Sequence, residues 1–153
     1  MIPTRNYAHQ EQKTYEITDE LVVKNPRKVL LLEDESDLAA ALRELLEACD
    51  YRVTRVANGA EGLQHILAGD FDVIICDMVM PNFPGDMFYI AVQRSRPHLC
   101  SRFIFMTGHR ADPKIDAFIR KVCGLVLWKP FQPHELLEAI KLVIRKHGGE
   151  PGA

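Results

Sequence analysis

Five side chains in this sequence have the types and the spacing to handle a phosphoryl group: Glu33, Asp34, Asp77, Thr107 and Lys129. Three carboxylates brought together raise one another's pKa or require a cation. A hard divalent ion, magnesium or manganese in its place, suits them, because magnesium takes oxygen ligands and typically uses one or two carboxylates plus phosphate oxygens. A carboxylate oxygen left over can act as nucleophile and carry an aspartyl phosphate once the incoming charge is neutralised. Asp77 is the candidate for that role. Lys129 would supply a point charge and Thr107 a hydroxyl. Main-chain amides after Asp77 and Thr107 would add donors, which answers the need of phosphoryl transfer for positioning and charge stabilisation.

Each of these residues closes an apolar run. Val29-Leu30-Leu31-Leu32 leads into Glu33 and Asp34, Val73-Ile74-Ile75-Cys76 into Asp77, Phe103-Ile104-Phe105-Met106 into Thr107, and Leu125-Val126-Leu127-Trp128 into Lys129. Continuous runs of about 4 apolar residues suit strands buried on both faces of a parallel sheet. Ligands bind such sheets beyond the carboxyl ends of the strands, so the pattern predicts one site. If the Lys129-Pro130 turn is to aim the lysine inward, a cis bond there is favoured.

Between the runs lie helical patterns, giving five βα units and the right-handed crossovers of an α/β fold. A first helix is expected over about Ser36 to Cys49, with Leu38, Ala41, Leu42, Leu45 and Leu46 as its apolar stripe. Strand two is Tyr51 to Val56, followed by a helix from Ala60 to Leu67 capped by Asn58. Strand three is Asp72 to Cys76, with a helix from Gly85 to Arg96 stopped by Pro97. Strand four, Arg102 to Met106, precedes a helix from Asp112 to Val122; strand five, Leu125 to Trp128, precedes one from Pro133 to Lys146.

The 153 residues fit one ordinary domain. With 47% hydrophobic and 26% charged residues and a net charge of −2, nothing favours nucleic acid or an anionic membrane as partner. No stretch reaches the roughly 20 apolar residues of a membrane span, and the first residues lack a signal-peptide core, so the cytosol is expected. Cys49, Cys76, Cys100 and Cys123 form no C-x-x-C pair and read as reduced structural thiols. Residues 1–26 read as an N-terminal extension with a short helix at Thr18 to Val23, residues 27–148 as the domain, and residues 149–153 as a tail. With so little chain after the last helix, no output domain is expected.

The chain from about Lys28 to His147 resembles the receiver domain of two-component response regulators. The resemblance rests on the acidic pair Glu33-Asp34, the stretch from Asp77 through Met80-Pro81 to Gly85 (D-x-x-M-P-x-x-x-G), Thr107-Gly108 and Lys129-Pro130-Phe131, all in order. It implies a doubly wound, flavodoxin-like parallel sheet of order 2-1-3-4-5 flanked by five helices. It implies also that Asp77 accepts a phosphoryl group from a phosphohistidine on a histidine kinase or histidine phosphotransfer protein. Asp34, Asp77 and the Val79 main-chain carbonyl would ligate magnesium, with Glu33 helping directly or through water. Thr107 and Lys129 would bind the phosphoryl oxygens and signal to a protein partner at the face built from the fourth helix, fifth strand and fifth helix.

Three features depart from the family pattern. The switch aromatic expected three residues before the lysine is Val126; Trp128, on the same face of that strand, is the candidate to take over part of that role, the alternative being a core or interface tryptophan. The segment from Val122 to Lys129 is about one residue short. The two positions that tune phosphoryl lifetime in the family hold Val79 and His109. An aspartyl-phosphate phosphatase would need a second Asp where Val79 stands, and a dinucleotide-binding domain would need G-x-G-x-x-G after the first strand. A constitutive docking module that is never phosphorylated is the remaining alternative. Met78, Met80 and Met87 are expected to pack, and His65, His98, His134 and His147 to lie on the surface.

Overall fold

Strands buried on both faces need helices on both sides, and that demand sets the architecture. A computed structural model describes residues 25–108 and 112–147. Its strands are β1 (Lys28–Leu32), β2 (Arg52–Val56), β3 (Val73–Asp77), β4 (Phe103–Thr107) and β5 (Leu125–Trp128). The helices that alternate with them are α1 (Ser36–Ala48), α2 (Gly59–Ala68), α3 (Gly85–Ser95), α4 (Pro113–Lys121) and α5 (Pro133–His147). All strand pairs are parallel, in the order β2-β1-β3-β4-β5. This is the doubly wound sheet that the sequence predicts.

Alternation along each strand splits the core in two. Leu30, Leu32, Ile74, Cys76, Phe103 and Phe105 face α2 and α3, where they meet Ile66, Phe88, Tyr89 and Val92. Val29, Leu31, Val73, Ile75, Ile104 and Met106 face α1 and α5, where they meet Leu42, Leu46, Leu136 and Ile140. The helix starts follow local chemistry. Asn58 accepts from the Glu61 amide at 2.9 Å, and Asp112 accepts from the Lys114 amide at 2.9 Å just before Pro113.

Several details differ from the sequence reading. On α1 the small inward residue is Ala39, whereas Ala41 is exposed, because the helix turns its Leu38-Leu42-Leu45-Leu46 stripe slightly toward Ala39. Met78 and Met80 are buried as expected; Met87 is 51% exposed on the outer face of α3. Pro97–Arg102 forms a 3-10 helix that shifts β4 to begin at Phe103. His65, His98 and His134 are exposed, and His147 is half-buried. The expected Thr18 to Val23 helix, the tail and His109 lie outside the described residues.

Candidate functional site

Parallel register carries the polar residues to one edge. Leu32 pairs with Cys76, and Asp77 with Met106, so the ends of β1, β3 and β4 lie side by side. Beyond the ladder the backbone bonds continue. The Glu33 amide donates to the Val56 carbonyl at 3.1 Å, the Met78 amide to the Met106 carbonyl at 3.0 Å, and the Lys129 amide to the Thr107 carbonyl at 2.8 Å. The side chains therefore leave from fixed backbone.

Glu33, Asp34 and Asp77 each offer an oxygen, and these oxygens lie within 4.8 Å of one another. Glu33 is 1% exposed and Asp77 6%, while Asp34 is exposed at the rim. Lys129 joins the two buried acids: its Nζ donates to Glu33 Oε1 at 3.2 Å and to Asp77 Oδ2 at 3.3 Å. The Val79 amide donates to Asp77 Oδ1 at 3.2 Å. Thr107 is fully buried at the end of β4. The Lys129–Pro130 bond is cis, as the sequence favours.

The electrostatics follow from burial and proximity. Burial raises the pKa of Glu33 and Asp77 raises it further; the Glu35 amide and Lys129 offset only part of this. On Lys129 burial opposes the charge, but Asp77 and Glu33 more than compensate and hold its pKa above the usual lysine value. Three carboxylates against one ammonium leave an excess of negative oxygen donors. That donor set fits a hard divalent cation.

The loop after Asp77 is held by close backbone approach. The Gly85 amide donates to the Met78 carbonyl at 3.2 Å. A Cβ at Gly85 would stand 2.7 Å from the Asp77 carbonyl oxygen and 3.0 Å from Met78 Cα. Asn82 adopts φ of 70°, a left-handed conformation that asparagine tolerates better than most residues. The glycine of the D-x-x-M-P-x-x-x-G stretch is thus required by the backbone that carries Asp77.

All five polar residues picked from the sequence are at this edge. Val126 and Trp128 are half-buried on β5, registered beside Phe105 and Thr107 respectively. Where an aromatic at Val126 is missing, the aromatic packing comes from elsewhere: Phe118 of α4 meets Phe105 edge-on at 5.4 Å and Tyr89 at 5.5 Å. One residue the sequence reading passed over is Arg55. Its Nε and Nη2 donate to the Glu33 carbonyl at 3.1 and 2.8 Å, and Nη2 reaches the Asp34 carbonyl at 3.4 Å. The only signal for it was a long cation near the end of β2, where the run Arg52-Val53-Thr54-Arg55-Val56 meets the acidic loop in space.

Residues 29–141 match the family model described as the response regulator receiver domain. The response regulator receiver protein CpdR of Brucella abortus (strain 2308) is 30% identical over 121 residues, covering 77% of this chain and 97% of CpdR. The sensor kinase CckA of the same organism is 29% identical over 145 residues, covering 91% of this chain. The chain spans only 14% of CckA's length. A crystal structure of the receiver domain of sensor histidine kinase PA1611 from Pseudomonas aeruginosa PAO1 shares the fold, with a TM-score of 0.70 at 22% identity, covering 81% of this chain and 99% of that domain. Its magnesium ion is coordinated in the active site cleft.

Proposed function

Because the chain belongs to the response regulator receiver domain family, we propose that it takes a phosphoryl group onto Asp77 and relays that event to a protein partner. The observation that carries this reading is the convergence of Glu33, Asp34 and Asp77 with Lys129 bonded to both buried acids. In the reaction an Asp77 carboxylate oxygen attacks phosphorus as the P–N bond of a phosphohistidine breaks. The bonding pair returns to the imidazole nitrogen of a histidine kinase or histidine phosphotransfer protein. Lys129 and Thr107 hold phosphoryl oxygens, and the Val79 amide keeps the Asp77 carboxylate aimed.

Magnesium, or manganese, would be held by Asp34, Asp77 and the Val79 carbonyl, with Glu33 contributing directly or through water. Bound there, it supplies charge neutralisation for the entering group. The Pseudomonas receiver with magnesium in its cleft supports this assignment. The output reading is a contact at the face of α4, β5 and α5, with Thr107, Val126 and Trp128 as the elements that register phosphorylation. Residues 27–148 form the receiver unit in this reading, residues 1–26 an extension and 149–153 a tail. Among the described residues no helix is long and apolar enough to cross a membrane; the reading sets the protein in the cytoplasm.

Phosphoramidate, whose P–N bond imitates that of phosphohistidine, tests the chemistry. With magnesium the chain should yield an acyl phosphate, seen by phosphorus NMR and released by hydroxylamine; with excess chelator it should not. Equal yield under chelation would contradict the metal assignment, and no adduct in either condition would contradict the whole reading.

A further inference from the structure

The acidic pair sits where β1 has ended, so its main chain needs partners the sheet does not supply. The Glu33 amide is still in the ladder through the Val56 carbonyl, and the Glu35 amide donates to the Glu33 carboxylate at 3.1 Å. The carbonyls of Glu33 and Asp34 also find their partner on β2. Both are taken by the Arg55 guanidinium, forked on Glu33 and reaching Asp34 with the same Nη2. Arg55 lies on the edge strand of the sheet, half-buried, and its Cα is registered with Leu31, two residues before Glu33.

The two acids differ in what holds them. Glu33 has its own side-chain ties, to Lys129 and to the Glu35 amide. The Asp34 carboxylate is exposed, and its carbonyl accepts from Arg55 Nη2 at 3.4 Å. We infer that Arg55 is the positioning residue of the metal-binding pair: it clamps the backbone of Glu33 and Asp34 so that their carboxylates converge with Asp77. This inference rests on the metal reading proposed above.

Geometry and charge predict opposite signs here, which makes the inference testable. A guanidinium bonded to the main chain of two of the three acids repels a dication, so if Arg55 acted only through charge, removing it would tighten metal binding. If it acts as a clamp, removing it loosens the ligand set; outer partners of metal ligands typically cost about 10- to 100-fold in affinity when lost. A purely structural tie would lower thermal stability and leave affinity unchanged.

The experiment titrates the full chain with Mn2+, following the free ion by its paramagnetic resonance signal, and then competes with Mg2+. Arg55→Ala should weaken both ions by about tenfold. Arg55→Lys, which keeps the charge but not the fork, should fall between the two and covers the case in which the alanine variant does not fold. Affinity equal to or tighter than wild type in either variant would overturn the inference. Wild-type protein that binds neither ion would instead overturn the metal reading itself, a distinguishable result.

Discussion

Lys129 reaches past the end of β4 to set its ammonium 3.3 Å from the Asp77 carboxylate on β3, two strands away in the sheet. The same ammonium is 3.2 Å from Glu33, just past the end of β1. It is an internal counterion for two buried acids that would otherwise repel each other. In the proposed function a phosphoryl group on Asp77 would give it a stronger partner, and its movement would disturb β5 at Trp128, which is registered beside Thr107.

Lys129→Met should therefore bind magnesium more tightly, by roughly tenfold at low ionic strength, since a competing cation is gone. The same variant should lose the change in Trp128 emission on adding a phosphodonor. Calorimetric titration and fluorescence read the two effects separately. Unchanged or weaker magnesium binding would show that the lysine does not compete for the acids.

At Gly85 the added methyl group of an alanine has no room against the Asp77 carbonyl oxygen at 2.7 Å. Overpacking of this kind costs about 1–3 kcal/mol. Gly85→Ala should lower stability by that amount in urea unfolding and also slow acyl-phosphate formation, because the backbone that yields adjoins Asp77, the proposed phosphoacceptor. Wild-type stability would refute the close approach.

No residue of α4 is fully buried, and its main anchor is Phe118 against Phe105 and Tyr89. Phe118→Ala should cost less than the 3–5 kcal/mol typical of a core phenylalanine. Amide exchange should speed up in α4 and leave β4 protected. Exchange that rises equally in both would mean that α4 is integral to the core.

Stability should fall under alkali. Burial, with Cys100 beside it, pushes the Tyr89 hydroxyl from 10.0 to about 12. Below pH 10 the group is neutral in both states. Between 10 and about 12 only the unfolded chain releases the proton, so folding loses up to about 3 kcal/mol across that window. Burial raises the Cys76 and Cys100 thiols from 9.0 in the same direction, so the decline begins earlier. Tyr89→Phe should flatten the part above pH 10 in chemical denaturation; an unchanged slope would contradict this.

The parallel sheet was legible because strands covered on both faces show unbroken apolar runs, and the polar residue ending each run marks the edge where ligands bind. Glu33, Asp34, Asp77, Thr107 and Lys129 were picked out at those run ends. Arg55 was not, because its partners are main-chain carbonyls, and a side chain's bond to a backbone 22 positions away leaves no periodic trace. The choice of Ala39 over Ala41 depends on a small rotation of α1, and the exposure of Met87 on the outer face of α3; neither angle is set by residue type. The 3-10 turn at Pro97–Arg102 is one short run of poorer hydrogen bonds, without the apolar period that reveals an α-helix.

Intact mass after treatment with a small phosphodonor and magnesium tests the central claim most directly. The native chain should gain one phosphoryl group and Asp77→Asn none. A native chain that stays unmodified, or an Asp77→Asn chain that still gains the group, would contradict the account.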